Sequence, residues 1–253
     1  MLKKPVNKYI DSEWKNWINT NITRGCSKKS IVDILLKNNF SIENIENEYN
    51  KLTQDVNHLK QIIPKYTDTG YKLLKTPEKL LVSINKWLTM NSDKKTTESL
   101  DSGFLQNPNG IASDITNLDT GELLKKEIGE SLKPIFEEWV SQELDLVSIY
   151  GVRTFRKNSS INMYHDRMET HIISGEIHVS DDSEKSWEFE LYDNDNKKQS
   201  FLFKKGDLIL YEGARCLHGR PKQYSGTYWN TIYVHFMPKN WKTVLNKITN
   251  NNI

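Results

Sequence analysis

The sequence predicts an α+β protein in which helices come first and an antiparallel β structure of the jelly-roll type follows. Apolar residues recur at helical spacing between residues 9 and 62 and again between 122 and 142. After Asp145 the chain changes to short β-branched or aromatic runs separated by turn residues, such as Asp193-Asn-Asp-Asn196. Short, regularly spaced strands of this kind are typical of a β sandwich or barrel.

Composition limits the classes of protein that need to be considered. The 253 residues are enough for one large domain or two smaller ones. No apolar run reaches the roughly 18 residues that a membrane helix needs, and Met1-Leu-Lys-Lys-Pro5 starts no secretion signal. The two cysteines are too few for a disulfide framework. We therefore expect a cytoplasmic protein without a membrane segment. The net charge of +2 is too small to attract the phosphates of a nucleic acid, so we expect no nucleic-acid partner.

Residues 1–62 are predicted to form a small helical module, and residues 63–253 a second domain. The first helix carries an apolar face and Gly25 suits its end, while Ser27 suits the start of the second helix. Phe40 follows the second helix and Ser41 suits the N-cap of a third. The module is interpreted either as a docking or substrate-presenting unit or as an extension packed on the main domain.

The region between the module and the strands is predicted to be mixed. Pro64 begins a polar linker, and a short helix follows from about Pro77 to Leu88. The stretch from Asn91 to Thr120 is rich in Ser, Asp, Thr, Asn and Gly, which indicates a long loop of the kind that forms lids or binding loops. A further helix is predicted from Glu122 to Gln142.

Two residues at strand ends suggest a metal site. The predicted strands are Val147–Arg156, a run ending near Asp166, His171–Val179, Trp187–Tyr192, Phe201–Phe203, Leu208–Tyr211, a run ending at His218, and Tyr228–Phe236. Ligands from one strand end, together with a distal histidine on a later strand, form the facial triad of non-haem iron oxygenases. Asp166 and His218 are therefore the first metal-ligand candidates.

The C-terminal part of the chain resembles a known family. The matching segments, between about Val147 and Pro238, are Tyr150-Gly-Val-Arg-Thr-Phe155, Asp166-Arg-Met-Glu-Thr-His-Ile-Ile-Ser174, Gly206-Asp-Leu-Ile-Leu-Tyr-Glu212, Arg215-Cys-Leu-His-Gly-Arg-Pro221, Gly226-Thr-Tyr-Trp229 and Val234-His-Phe-Met-Pro238. They resemble the 2-oxoglutarate and iron(II)-dependent oxygenases, specifically the prolyl 4-hydroxylase-like branch. The resemblance implies a double-stranded β-helix with packed helices, Fe(II) and 2-oxoglutarate as cofactors, and hydroxylation of a peptidyl proline, another amino-acid side chain or a small molecule.

The chain departs from this family at the metal motif, His-x-Asp. Tyr164 stands at the position of the histidine, and His165 stands at the x position. Three interpretations follow. Tyr164 coordinates as a phenolate, which favours a ferric centre; His165 supplies the third ligand through a local bulge; or the site holds no catalytic iron. His171 is a spare ligand if neither of the first two serves, whereas Cys216 is expected to be a small buried side chain.

The cosubstrate residues depart as well. The family's basic residue ten positions after the distal histidine corresponds to Tyr228, which is kept as a cosubstrate-binding candidate, and its first-strand tyrosine corresponds to Phe155. Strand alternation gives Arg153 the same inward face as Phe155, which makes Arg153 the first candidate to bind the 2-oxoglutarate carboxylate. Arg220 is the second candidate and Arg167 the third. An ordinary ion pair is the alternative for each arginine.

These departures leave three functional hypotheses. The first is a 2-oxoglutarate-dependent oxygenase whose iron is held by Asp166 and His218. The second is a catalytically degenerate barrel that acts as a binding module. The third is a metalloenzyme with an atypical site formed by Tyr164, Asp166 and His218. The sequence predicts neither the substrate nor the oligomeric state.

Overall fold

The computed structural model of the protein describes residues 8–23, 26, 28–98, 104–118 and 122–250. The helices in these ranges are α1 Ser12–Thr23, α2 Lys28–Lys37, α3 Ile42–Ile62, α4 Glu78–Met90, α5 Glu122–Val140 and α6 Trp241–Asn250. The strands are β1 Tyr71–Lys75, β2 Lys95–Thr97, β3 Leu105–Gln106, β4 Ser113–Asn117, β5 Leu144–Arg156, β6 Ser160–Tyr164, β7 Ile173–Asp181, β8 Phe189–Tyr192, β9 Lys198–Phe201, β10 Asp207–Tyr211, β11 His218–Arg220 and β12 Tyr228–Pro238. None of the described helices has the length and apolar character needed to cross a membrane.

Two antiparallel sheets form the β structure. The larger sheet has the strand order β1-β10-β7-β12-β5-β4-β2, and the smaller has the order β3-β6-β11-β8-β9. Non-neighbouring strands pair in both sheets, since β10 lies between β1 and β7 and β11 lies between β6 and β8. This order produces the jelly-roll arrangement that the sequence predicts.

The larger sheet separates two hydrophobic cores because side chains alternate along its strands. On β10, Leu208 and Leu210 belong to the helix-side core, whereas Ile209 and Tyr211 belong to the core between the sheets. Residues from α4, α5 and α6 complete the first core, including Ile84, Leu132, Phe136 and Trp241. Each large apolar side chain buried in this way contributes roughly 1.5–3 kcal/mol to folding. Polar side chains on the inner face of the same strands therefore stand out as candidates for function.

The three N-terminal helices pack around a hydrophobic core of their own. Its buried members are Ile10, Ile18, Cys26, Ile31, Leu35, Phe40 and Ile45. Ser41 caps α3 as predicted, since its hydroxyl accepts a hydrogen bond from the backbone nitrogen of Asn44 at 3.2 Å. Gly25 and Ser27 lie outside the described residues. The boundary between residues 62 and 63 stays a prediction.

Five elements are additional to the sequence prediction, and two strands are displaced from it: β9 ends at Phe201, where a strand was predicted to begin, and β11 begins at His218, where one was predicted to end. β1 lies in the predicted linker, and β2, β3 and β4 lie in the predicted loop of residues 91–120. These strands were missed because they are short and largely polar: all three residues of β2 are exposed, and only two of the five in β4 are buried. Helix α6 follows the last strand, where only strands were expected, and it packs Trp241 and Val244 against the helix-side core.

Candidate metal and cosubstrate site

A cavity of about 370 Å³ opens between β4, β5, β6 and β12. Its wall combines aromatic, basic and acidic side chains, among them Arg153, Tyr164, His165, Asp166, Tyr233 and His235. Pockets of a few hundred Å³ with a small number of convergent polar groups are typical of small-molecule sites. Six of the residues singled out from the sequence therefore border one cavity: Arg153, Tyr164, His165, Asp166, Arg167 and His171.

Asp166 and His218 face each other beside this cavity. Asp166 follows β6 and His218 begins β11, and the structure places Oδ1 of Asp166 3.9 Å from Nε2 of His218. The second ring nitrogen of His218, Nδ1, lies 2.8 Å from the carbonyl oxygen of Cys216. Because a carbonyl only accepts, Nδ1 donates this bond, and in a neutral imidazole Nε2 is then the acceptor. This tautomer is the one that a metal-binding histidine needs.

The Nε2 atom of His218 is buried and has no hydrogen-bond partner within the described part of the chain. Buried polar atoms are nearly always hydrogen-bonded, and an exception calls for an explanation such as an ion. The ring that carries this atom is held between Tyr164 and Tyr211, with centroid distances of 4.5 Å to each. The unpaired lone pair therefore has a fixed direction toward Asp166.

Two neutral side chains, those of Ser174 and His235, hold the other oxygen of Asp166 through successive hydrogen bonds. The hydroxyl of Ser174 donates to Oδ2 of Asp166 at 2.6 Å, and Nδ1 of His235 lies 3.0 Å from the same hydroxyl oxygen. Because the hydroxyl proton is given to Asp166, Nδ1 of His235 is the donor to Ser174. Burial is the main cause that lowers the pKa of His235 to about 3, so its imidazole is neutral. With Oδ2 engaged, Oδ1 remains directed toward His218.

Gly213 makes room for this carboxylate. A Cβ at position 213 would lie 2.1 Å from Oδ2 of Asp166 and 2.5 Å from the hydroxyl oxygen of Ser174. The backbone carbonyl of Gly213 also accepts a hydrogen bond from the backbone nitrogen of Asp166 at 2.9 Å. Position 213 therefore tolerates no side chain without displacing the carboxylate.

Tyr164 and His165 both border the cavity, as the first two interpretations of the third ligand require. Tyr164 lies opposite His218 in the pairing of β6 with β11, and the register shifts just before this pair. Burial, followed by the charge of Asp166, raises the pKa of Tyr164 well above its ordinary value, so the metal-free protein holds a neutral phenol. The described residues contain no group of three His, Cys, Asp or Glu side chains placed to hold one metal ion. Tyr164 and His165 both stay candidates for the third ligand.

Several solved structures have a fold similar to that of this chain. No family model and no curated protein matches the sequence. A prolyl hydroxylase from Trichoplax adhaerens, in complex with a hypoxia inducible factor peptide fragment, matches with a TM-score of 0.53 and 9% identity over 77% of this chain and 95% of that one. An oxidoreductase of the 2OG-Fe(II) oxygenase family from Burkholderia pseudomallei matches with a TM-score of 0.52 and 11% identity, over 72% of this chain and 89% of that one. The non-heme alpha-ketoglutarate-dependent epimerase SnoN from nogalamycin biosynthesis matches with a TM-score of 0.55 and 9% identity, over 72% of this chain and 81% of that one.

The chain has the fold of the 2-oxoglutarate and iron(II)-dependent oxygenases. The predicted double-stranded β-helix is therefore confirmed, together with the resemblance in fold to prolyl hydroxylases. The resemblance described above implies a cation that binds the far carboxylate of 2-oxoglutarate, and a guanidinium suits a carboxylate. The positions of the three predicted cosubstrate residues are therefore informative.

Arg153 is the candidate that reaches the cavity. It lies on the central strand β5, and its side chain points inward, as alternation predicts. Its Nε and Nη2 atoms donate to the two carboxylate oxygens of Glu98, at 2.6 and 2.7 Å. Arg153 is thus both the predicted cosubstrate cation and a member of an ion pair. Arg167 also lines the cavity, where its side chain is exposed at the rim.

Arg220 and Tyr228 do not line the cavity, which corrects both predictions. Arg220 is fully buried and donates from Nη2 to Glu176 at 2.8 Å. Its guanidinium lies 4.8 to 5.3 Å from the centroids of four aromatic rings, those of Trp187, Phe189, Phe203 and Trp229. Tyr228 is the first residue of β12, is 37% exposed, and lies beside Leu88 and Thr89 of α4. Arg220 is enclosed by the core, and alternation turns Tyr228 to the other face of the sheet.

Cys216 is the buried side chain that the sequence predicts, and two further histidines make local hydrogen bonds. Cys216 is buried, and burial is the main cause that raises the pKa of its thiol to about 12, which makes it a poor ligand. His178 bonds to Asp181 at 2.8 Å and His235 to Ser174, so both satisfy local hydrogen bonds.

Sequence reasoning missed Glu98, Ser174, Gly213 and Tyr233. No motif or hydrophobic periodicity in the sequence indicates Glu98, because it lies in a polar stretch. Tyr233 could have been found, since it shares the inward face of β12 with His235.

Proposed function

We propose that the protein is a non-haem iron, 2-oxoglutarate-dependent oxygenase that hydroxylates a peptidyl prolyl, another amino-acid side chain or a small molecule. The observation that carries the proposal is the buried Nε2 of His218, fixed as an acceptor by the Cys216 carbonyl and directed at Asp166 Oδ1. The fold supports the proposal, because the similar solved structures include enzymes of this class.

The residues present fit an iron ion and a carboxylate cosubstrate. An imidazole nitrogen and a carboxylate oxygen are suitable ligands for non-haem iron, and either His165 or Tyr164 would supply the third. When bound, iron(II) and 2-oxoglutarate supply the oxidising chemistry that hydroxylates carbon with dioxygen. Arg153 would bind the far carboxylate of the cosubstrate, since a guanidinium suits a carboxylate in bidentate geometry.

The remaining residues position these groups and shape the site. Ser174 and His235 hold the Asp166 carboxylate in one orientation. Phe104 stacks on Tyr164 with ring centroids 4.6 Å apart, which fixes the phenol beside His218. The cavity admits one side chain or a small molecule, and the Trichoplax prolyl hydroxylase, which matches in fold, is in complex with a peptide. A peptide substrate would therefore insert one side chain.

Anaerobic iron(II) binding, with and without 2-oxoglutarate, tests the proposal. We expect stoichiometric iron in the wild type, a visible absorption band that requires 2-oxoglutarate, and slow succinate formation without substrate. His218→Gln should lose the iron, whereas His178→Gln, a buried histidine outside the cavity, should keep it. Full iron retention by His218→Gln would contradict the site assignment.

Two observations favour a second candidate, a catalytically degenerate binding module. Tyr164 replaces the first ligand histidine, and Arg153 is already paired with Glu98. In that case no succinate forms whichever metal ion is added, although the cavity still binds small molecules. Tyr164→Phe examines the atypical metal site separately: loss of a phenolate-to-metal absorption band would identify Tyr164 as a ligand.

A further inference from the structure

The ion pair between Arg153 and Glu98 joins a fixed residue to a weakly held one. Arg153 lies on β5, which is paired with β12 on one side and β4 on the other. Glu98 follows β2, a strand of three exposed residues at the edge of the sheet, whose partner among the described strands is β4. One backbone hydrogen bond, from the nitrogen of Glu98 to the carbonyl oxygen of Ser113 at 3.1 Å, attaches Glu98 itself to β4. Short edge strands with few buried contacts open locally at low cost. The cation is therefore more rigidly held than its counterion.

We propose that Glu98 is an internal competitor for the anion site of Arg153, and that a ligand carboxylate enters the cavity by replacing the Glu98 carboxylate. The inference rests on the proposed function, because it assumes that the cavity takes a carboxylate cosubstrate. It adds a residue that sets the affinity for that cosubstrate.

The contacts of Glu98 match those that a ligand carboxylate would make. Both of its oxygens accept from the guanidinium of Arg153, and Oε2 also accepts from the hydroxyl of Ser113 at 2.6 Å. The guanidinium carbon lies 5.4 Å from the Tyr233 ring centroid and 5.9 Å from that of Phe155, which helps to hold its plane. A carboxylate that replaced Glu98 would find two guanidinium donors and a hydroxyl already oriented.

The exchange is favoured by the partial exposure of the pair. The side chains of Arg153 and Glu98 are 21% and 18% exposed, and both residues border the cavity. A released Glu98 carboxylate can be hydrated, so the exchange leaves no buried charge unpaired. Ion pairs with access to water are worth little in net free energy, and a ligand that makes equivalent bonds can therefore replace one member.

A neighbouring ion pair provides a matched control. Arg156 of β5 donates to both carboxylate oxygens of Asp114 on β4, at 2.8 and 2.5 Å, and the hydroxyl of Thr97 also donates to Asp114. This pair repeats the bidentate contact and the hydroxyl donor, but neither Arg156 nor Asp114 lines the cavity. Neutralising Asp114 therefore changes the same type of contact to an arginine of β5, at two residues that do not line the cavity.

Calorimetric titration of 2-oxoglutarate into the full-length protein, with and without bound Mn(II), tests the proposal. We expect Glu98→Gln to bind 2-oxoglutarate at least about tenfold more tightly than the wild type, because it removes both the competitor and its repulsion of the ligand. Glu98→Ala should give the same gain. Asp114→Asn should leave the affinity unchanged, and adding Arg153→Met to Glu98→Gln should abolish the gain. The affinity for 2-oxobutyrate, which lacks the far carboxylate, should not change.

Equal or weaker 2-oxoglutarate binding by Glu98→Gln would overturn the inference, and so would a lack of binding by all variants. The metal separates this failure from failure of the proposed function. If the wild type binds Mn(II) and 2-oxoglutarate tightly and Glu98→Gln adds nothing, the function stands and the competitor role is wrong. If no variant binds Mn(II) but Glu98→Gln gains an Arg153-dependent affinity for 2-oxoglutarate, the oxygenase fails and the competitor role stands.

Discussion

Two arginine–carboxylate pairs lie on the inner faces of the strands, and they differ in how they are held. The core pair, Arg220 and Glu176, joins β11 of the smaller sheet to β7 of the larger, and neither side chain is exposed. The cavity pair, Arg153 and Glu98, joins a central strand to the edge of one sheet and borders the cavity. The same chemistry therefore occurs once as a fixed link between sheets and once as a contact that a ligand can reach.

The difference shows that burial, and not the ion pair itself, determines the role. In the core pair, Nε of Arg220 and Oε2 of Glu176 are buried without hydrogen-bond partners in the described structure. Breaking such a pair leaves an uncompensated charge that water cannot reach. In the cavity pair either group can be hydrated or paired with a ligand. Only the cavity pair is suited to binding.

The largest expected effect comes from breaking the core pair. Arg220→Leu should lower the free energy of unfolding by about 3–5 kcal/mol, because Glu176 would remain buried and unpaired. Urea unfolding followed by tryptophan fluorescence measures this loss. Replacing both residues, with Arg220→Leu and Glu176→Met, should recover much of it. A loss below about 1 kcal/mol in the single variant would contradict the comparison.

A carboxylate without a cation extends the comparison to the metal site. Asp166 is held by Ser174 and a neutral His235, so we expect Ser174→Ala to weaken Mn(II) binding by about 10- to 100-fold through loss of orientation. Calorimetric titration of Mn(II) measures the change. Ser113→Ala, which removes a hydroxyl that serves Glu98 instead, is the matched control and should leave Mn(II) binding unchanged.

A smaller effect on stability is expected from the cavity pair. Arg153→Met should cost about 1–2 kcal/mol in urea unfolding, less than Arg220→Leu, because Glu98 can be hydrated after the change. The same variant should lose 2-oxoglutarate binding in calorimetry. Equal destabilisation by the two arginine substitutions would show that the two pairs do not differ as described.

The smallest effect is a pH dependence near the core pair. His178 stacks on Trp229 with ring centroids 3.7 Å apart, and burial, the main cause, lowers its pKa from the ordinary value. Below about pH 6.5, His178 is therefore protonated in the unfolded chain, whereas in the folded protein it stays neutral to a lower pH. Stability should fall as the pH is lowered, by at most about 1.4 kcal/mol per pH unit from this group. Urea unfolding between pH 7 and 5 should show that the free energy of unfolding falls less steeply with decreasing pH in His178→Gln than in the wild type.

The sequence predicts most of the strands after Asp145, because β-branched and aromatic residues such as Ile209 and Ile232 are dense there, but it misses β1 to β4. It also predicts the inward direction of Arg153, and the two ligand candidates that it singles out, Asp166 and His218, lie 3.9 Å apart. It does not predict the partner of Arg153, since Glu98 lies 55 positions away in a polar stretch without periodicity. Nor does it predict that Arg220 is enclosed by rings from distant strands. These contacts depend on tertiary packing, which local patterns do not encode.

The close approach of Gly213 to Asp166 has an evolutionary consequence. Selection to keep the carboxylate in place acts on a residue that neither binds metal nor touches a ligand. A lineage that abandoned metal binding would be free to accumulate alanine or serine at position 213, whereas a lineage that retained it would not. Among homologues that share Tyr164, the residue at position 213 would therefore record whether the metal-binding geometry is still under selection.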